Sequence, residues 1–215
     1  LGTVCSNQRL IMKIIKVILL YIILCLSFLS TQNLDTLRTQ SEADSLMMVA
    51  DSLQKVQQVE EALKLYENAL TIYGQIGDRW GEGSSLYNIG MVYNDLSDYP
   101  KALEYYEASL KIARELGNRS GENGALNNIG MVYNALSDYP KALEYFEKSL
   151  EMDRDLGRHR GVGLTLNNIG LAYDALSNYL KALEYFEKSL EIAKELGNRS
   201  GESISLHNIG MVYDA

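Results

Sequence analysis

The feature that most constrains this chain is a sequence repeat with a period of 40 residues. The tripeptide Asn-Ile-Gly recurs in one register and ends at Gly90, Gly130, Gly170 and Gly210. The segment KALEYFEKSLE, which begins at Lys141, returns unchanged 40 positions later. A fixed period of roughly 20 to 50 residues indicates stacked units, each a supersecondary element that buries its apolar face against its neighbours. The sequence therefore predicts an extended repeat array rather than one closed core.

Residues 81–120 show what one unit contains. Ile89 and Tyr93 lie one helical turn apart, as expected for one face of a first helix. A second helix is predicted to begin after Asp98, which can cap it, with Pro100 in its first turn, where a missing N–H costs little. The unit is therefore predicted to be two antiparallel helices joined by short turns, and the fold class all-α.

The recurring glycine needs a packing reason, because a glycine in the middle of a helix costs about 1 kcal/mol relative to alanine. We expect Gly90 to mark the point where the second helix crosses closely. Ala102 is predicted to lie opposite this glycine, with Tyr93 and Tyr106 beside the contact.

These positions resemble the tetratricopeptide repeat family, whose pattern is a bulky residue, Leu-Gly, Tyr, Ala, an aromatic and a small residue. In the third unit the pattern is carried by Leu126, Ile129, Gly130, Tyr133, Ala142, Phe146 and Ser149. The period of 40 departs from the roughly 34 residues typical of the family, and the usual tryptophan and late proline are absent. The longer unit looks like the repeats of Pins-type adaptors and kinesin light chains, a form shared by many bacterial proteins. The resemblance implies a right-handed solenoid of antiparallel helix pairs.

The segment before the repeats has the layout of a secretory signal peptide. Met12 precedes a short basic start at Lys13 and Lys16, an apolar run over residues 17–29, and a small residue at Ser30. An uncleaved membrane anchor and a buried helix are the alternatives, although the apolar run is shorter than the ~20 residues of a spanning helix. We expect an exported protein of the bacterial periplasm or envelope, membrane-anchored only if the segment is not cleaved.

The predicted organisation follows from these boundaries: upstream translation at residues 1–11, the signal peptide or anchor at 12–30, a linker at 31–40, a divergent first repeat at 41–80, full repeats at 81–120, 121–160 and 161–200, and a truncated fifth repeat at 201–215. The sequence ends inside the first helix of the fifth repeat without a polar capping helix, so we expect a fragment of a longer protein.

Composition excludes several classes of function. The formal net charge of -8 argues against nucleic-acid binding, for which a basic face is expected. Both cysteines, Cys5 and Cys25, precede the repeats, and no Cys/His spacing suggests zinc. The two histidines, His159 and His207, have no nucleophile or metal-ligand partner in the sequence. We therefore predict no enzyme activity within these residues and no cofactor or metal.

In proteins of the resembling family the first helices line a concave groove that binds peptides. The positions of the first helices that do not pack inward are Tyr87, Asn88, Met91, Asn94, Asn127, Asn128, Met131, Asn134, Asn167, Asn168, Leu171, Asp174, His207 and Asn208. A ladder of side-chain amides offers donors and acceptors to a peptide backbone, and methionines offer an adaptable apolar floor. The alternative is that these asparagines form hydrogen bonds within the scaffold.

Three arginines recur near the turns between repeats. We expect them to pair with glutamates three residues later rather than with an acidic ligand. The expected pairs are Arg79 with Glu82, Arg119 with Glu122, and Arg199 with Glu202.

The sequence supports two functions. The first is an interaction scaffold that binds a protein or peptide segment. The second is the sensory arm of a larger signalling protein whose kinase, cyclase or transcription-regulator domain follows Ala215.

Overall fold

The computed structural model describes residues 36–37 and 39–214, so the predicted signal peptide lies outside the described residues. Within these ranges every regular element is a helix, and no strand occurs. The helices are α1 (39–55), α2 (Val59–Ile76), α3 (Arg79–Asp95), α4 (Tyr99–Glu115), α5 (Arg119–Ala135), α6 (Tyr139–Asp155), α7 (His159–Ala175), α8 (Tyr179–Glu195) and α9 (Arg199–Tyr213). Each helix packs against the next, which confirms the predicted all-α repeat superhelix.

Side-chain caps begin most of the helices. In α3, α4, α5, α6, α8 and α9 an Asp or Asn side chain accepts the backbone N–H three residues later. The predicted caps Asp98 and Asn118 are among them, and Pro100 lies in the first turn of α4. Such a cap is worth about 1 kcal/mol. The first helices of the repeats from α3 onward are α3, α5, α7 and α9. Of these, only α7 follows a residue, Arg158, whose side chain does not cap the helix.

Two kinds of turn alternate along the chain. The turn between α3 and α4 holds Ser97 at a φ of +59°, a left-handed conformation that costs an L-residue about 1 kcal/mol or more. The turn between α4 and α5 places Gly117 at a φ of +64°, where the missing Cβ removes that cost. The same alternation of serine and glycine recurs in the next two repeats.

An aromatic ring lies directly against the recurring glycine of each full helix pair. A Cβ built on Gly90 would lie 2.7 Å from the ring of Tyr106, and one on Gly130 would lie 2.7 Å from the ring of Phe146. This corrects the prediction that Ala102 faces Gly90 with Tyr106 beside the contact, because the nearest atoms to the glycine all belong to the Tyr106 ring. Glycine is required here because the ring occupies the space of its side chain.

The last described helix lacks this covering ring. A Cβ built on Gly210 would have no neighbour within 4 Å, and Tyr213 is 73% exposed. The contrast between Gly130 and Gly210 therefore gives a matched pair of positions, one packed and one open.

The prediction for the recurring arginines was right at two places and wrong at one. Arg79 pairs with Glu82 and Arg199 with Glu202, as expected. Arg119 instead pairs with Asp155 at 3.0 Å, while Glu122 accepts from Arg114 at 2.8 Å. The longer unit brings side chains of neighbouring helices within reach, so spacing along one helix does not decide the partner.

None of the helices in the described ranges combines the length and apolar character needed to cross a membrane.

Candidate functional site

A cavity of about 760 Å³ lies against the first helices α1, α3 and α5. The ends of α2 and α4 and the residue before α7 complete its lining. We call this cavity the N-terminal groove and define it by Asp44, Asp51, Trp80, Tyr87, Asn88 and Arg158.

The wall of the N-terminal groove carries exposed apolar side chains. Met48 is 67% exposed and Trp80 is 64% exposed, and both line the cavity. Three glycines of the first helices also line it, and a Cβ built on Gly124 would lie 3.5 Å from the hydroxyl oxygen of Tyr87. The space is therefore kept open by glycine and bordered by apolar surface that a ligand could cover.

Two carboxylates stand at the α1 end of the N-terminal groove. Asp44 Oδ1 accepts the hydroxyl of Tyr73 at 2.5 Å. Asp51 Oδ1 accepts the hydroxyl of Tyr66 at 2.7 Å and Asn88 Nδ2 at 3.4 Å. Burial, helped by the adjacent carboxylate, raises the pKa of both tyrosines above the usual range. The phenols therefore stay protonated at neutral pH and hold the two carboxylates in place.

A guanidinium stands at the opposite end. Arg158 Nη1 donates to Ser120 Oγ at 3.4 Å, and Arg158 Nε lies 3.7 Å from Asp153 Oδ1. Burial raises the pKa of Tyr87, while the hydrogen bond from Asn128 and the charge of Arg158 act to lower it. The N-terminal groove thus has an acidic end and a basic end.

A buried polar network lies next to Arg158. Asp153 is 3% exposed and accepts Asn123 Nδ2 at 2.5 Å and Thr165 Oγ1 at 3.2 Å. Ser149 Oγ donates to Asn123 Oδ1 at 2.6 Å, and Asn127 Nδ2 donates to Thr165 Oγ1 at 3.2 Å. The sequence reasoning missed this network, although the departure of residues 123 and 153 from the repeat pattern is visible in the sequence.

Several of the predicted groove asparagines form hydrogen bonds within the scaffold. Their partners are Asp51 for Asn88, Thr165 for Asn127, Tyr87 for Asn128, and Asn167 for Asn208. Each bond joins two different repeats. At these four positions the geometry favours the scaffold interpretation over a ladder of amides free for a ligand.

The other candidates divide between the cavities and the open surface. Tyr87 and Asn88 line the N-terminal groove, and Asn167 lines a separate cavity of about 70 Å³ that reaches α9. Met131, Leu171 and His207 are exposed, and Met91 packs against the core. Asn94, Asn168 and Asp174 are half-buried, and Asn134 Oδ1 is buried with no hydrogen-bond partner in the part of the chain that the structure describes.

The sequence reasoning also missed four residues that define the N-terminal groove, namely Asp44, Asp51, Trp80 and Arg158. A usable signal was present in the sequence. Trp80 stands where two later repeats have serine, and Arg158 stands where a capping Asp or Asn precedes α3, α5 and α9.

The described part of the chain contains no group of three or more His, Cys, Asp or Glu side chains placed to hold a metal ion.

Comparison with known proteins agrees with this architecture. The family model described as tetratricopeptide repeat matches residues 41–115, 122–195 and 164–215. The chain is similar to the crystal structure of BtubC (BKLC) from P. vanneervenii, with 24% identity, a TM-score of 0.74, and coverage of 83% of this chain and 74% of that one. None of the curated proteins matches the sequence.

Two further solved structures share the fold. The putative kinesin light chain repeats of Podosopora anserina align at 18% identity and a TM-score of 0.68, over 81% of this chain and 87% of that one. A Rap protein complexed with competence and sporulation factor aligns at 17% identity and a TM-score of 0.67, over 78% of this chain and 47% of that one. At these identities the likeness shows the fold alone.

Proposed function

Because the chain belongs to the tetratricopeptide repeat family, we propose that it is a protein–protein interaction scaffold that binds a peptide or protein segment in the N-terminal groove. The observation that carries this proposal is the groove itself, a cavity of about 760 Å³ bordered by exposed Met48 and Trp80. A water-exposed apolar border of this kind gains free energy when a ligand covers it, at roughly 25 cal/mol per Å². The Rap protein of the same fold that is complexed with another factor supports the proposal by analogy.

The proposal assigns no catalysis to these residues. Tetratricopeptide repeats are typically a non-enzymatic scaffold fold. The alternative role, a sensory arm attached to an effector domain, stays a prediction. So does export through the segment at residues 12–30, which secretion of the full chain with loss of that segment would support.

Trp80 provides a direct test, because it is the one tryptophan of the sequence and lies 64% exposed in the groove. Pools of terminally blocked hexapeptides, with mixed Ala, Val, Leu and Phe at the four inner positions, would be titrated against the full chain. We expect a blue shift of Trp80 emission that saturates with peptide concentration. Absence of any shift, and of any peptide retained by the immobilised protein, would contradict the proposed function.

A matched pair of variants locates the binding site. Gly124→Leu would place a side chain in the groove, and its Cβ would make an ordinary contact of 3.5 Å with Tyr87. We expect it to weaken binding at least about tenfold, which corresponds to roughly 1.4 kcal/mol. Gly210→Leu, where a Cβ has no neighbour within 4 Å, is the control and should bind like the native protein. Equal binding by both variants would place the ligand elsewhere.

A further inference from the structure

We propose that the segment bound in the N-terminal groove is dipolar, with a cationic side chain at the α1 end, an apolar middle and an anionic group at the α7 end. This inference rests on the proposed function and adds the chemistry of the ligand. It is carried by the separation of opposite charges along one cavity.

The α1 end offers carboxylate oxygens that the scaffold leaves open. Asp44 and Asp51 each accept hydrogen bonds from the scaffold at Oδ1, and their Oδ2 atoms accept none among the described residues. No Lys, Arg or His of residues 36–37 and 39–214 lies within ion-pair distance of either carboxylate. A carboxylate with free lone pairs on an exposed wall favours a cation as its partner.

The first helices between the two ends are neutralised within the scaffold. Glu82 of α3 pairs with Arg79, and Glu122 of α5 pairs with Arg114. The charge of the groove is therefore concentrated at its two ends.

The α7 end offers the guanidinium of Arg158. Arg158 lines the groove, and its contacts with Ser120 and Asp153 use Nη1 and Nε, which leaves Nη2 available. Arg160, two residues later, lines a separate cavity and does not belong to the groove. Arginine suits a carboxylate because its planar donors can bind both oxygens.

The dimensions fit a short extended segment. The Arg158 guanidinium contacts Ser120 in the first turn of α5, and α5 lies two helix-to-helix steps from α1 among the first helices. Packed helices lie about 9 Å apart, so the two charged ends are roughly 18 Å apart. An extended chain advances about 3.3 Å per residue, which gives a span of about five to six residues. The ligand is therefore expected to carry its opposite charges about five positions apart.

Four pools of the blocked hexapeptides test this chemistry, each with the same mixed apolar residues inside and fixed end residues. The ends are Lys with Glu in both orders, Lys with Lys, Glu with Glu, and Gln with Gln. Each pool is passed over the immobilised full chain at low salt, and the retained peptides are quantified by mass spectrometry. We expect the Lys/Glu pool to be retained about three- to fivefold more than the Gln/Gln pool, with the difference shrinking as salt rises.

Charge variants assign each end. The double variant Asp44→Asn/Asp51→Asn keeps the oxygen acceptors for the tyrosine hydroxyls. We expect it to remove the gain in retention that a lysine end gives over a glutamine end, but not the gain in retention from a glutamate end. Arg158→Gln should remove the gain in retention from glutamate alone, and Arg160→Gln, whose side chain lines a separate cavity, should leave it unchanged. Glu104→Gln and Lys111→Gln, exposed on α4, are the controls and should change neither gain.

The outcomes separate the two proposals. Equal retention of all four pools, with Trp80 still reporting binding, would overturn the dipolar ligand and leave the proposed function standing. Retention of no pool, without self-association, would overturn both. Self-association of the protein that is abolished by Gly124→Leu, with no pool retained, would make a second copy the occupant, and would overturn the dipolar peptide ligand while leaving protein binding in the groove standing.

Discussion

The middle repeat (residues 121–160) and the repeats on either side share one backbone plan but fill the space between their helices differently. In the flanking repeats the second helix approaches the backbone of the first. Ser109 Oγ donates to the carbonyl of Gly83 at 2.8 Å, and Ser189 Oγ donates to the carbonyl of Gly163 at 2.9 Å.

In the middle repeat a side chain takes the place of that backbone contact. Ser149 donates to the Asn123 side chain at 2.6 Å, and Asn123 donates to Asp153. Asp153 stands where the flanking repeats have Ala113 and Ala193. Buried polar atoms need partners, so a polar residue enters a repeat interior together with the residues that satisfy it. We infer that the repeat interior accepts the small residues of the flanking repeats or the complete polar set of the middle repeat, but not one buried polar residue without its hydrogen-bond partners.

Moving the carboxylate alone into a flanking repeat should have the largest effect. Ala113→Asp would bury a charge where the repeat register puts Gly83 and Ala125 in place of the donors Asn123 and Thr165. An uncompensated buried charge costs about 4 kcal/mol, and denaturant unfolding monitored by circular dichroism would measure it. Lys111→Asp, on the exposed face of the same helix, is the control. A cost below about 1 kcal/mol would mean that this interior can relax or admit water.

Removing the carboxylate from the middle repeat should cost somewhat less. Asp153→Ala leaves the buried donors of Asn123 and Thr165 unsatisfied, and we expect a loss of about 3 kcal/mol in the free energy of unfolding. Asp153→Ala with Asn123→Gly recreates the interior of the flanking repeats and should recover most of that loss. Strictly additive effects of the two changes, measured by a double-mutant cycle, would show that the network is not a unit.

A smaller loss of stability is expected at the recurring glycine, where the three full repeats share the same packing against an aromatic ring. Gly130→Leu would drive a side chain into the Phe146 ring and cost about 2 kcal/mol through overpacking. Gly210→Leu, at the same register without a covering ring, should leave the melting temperature unchanged or raise it, because leucine favours a helix. Equal melting temperatures for the two variants would contradict the packing described for Gly130.

The smallest effect at neutral pH concerns the ring that covers the glycine, which is Tyr106 in repeat 81–120 and Phe146 in the middle repeat. Burial raises the pKa of the Tyr106 hydroxyl in the folded protein. The stabilisation that the protonated side chain gives is therefore fully present below its pKa of about 10 in the unfolded chain, and is lost as the pH rises toward the higher pKa of the folded state. Tyr106→Phe should change stability little at pH 7 and make the alkaline loss of stability less steep. Tyr213→Phe, on a 73% exposed ring, is the control, and an unchanged slope in both variants would contradict the assignment.

Much of the fold could be predicted from the sequence because the signals are local and repeated. The caps at Asp98 and Asn118 and the proline at Pro100 fix where helices begin, and the structure places all three as predicted. The candidate site was less accessible. Asn128 looks free on a helix diagram, yet it donates to the Tyr87 hydroxyl of the preceding repeat at 2.9 Å. That contact depends on how far one repeat is rotated against the next, which no local pattern specifies.

The sequence by itself determined the repeat period, the all-α class and the glycine positions, because helix propensity, capping and apolar periodicity act within a few residues of each other. The tertiary structure alone decided which side chains meet across repeats. It placed Asp51 beside Asn88, Asp153 beside Thr165, and Arg158 at the far end of a cavity that begins on α1. These contacts join residues 12 to more than 30 positions apart, and their geometry arises from the stacking of helices rather than from any one helix.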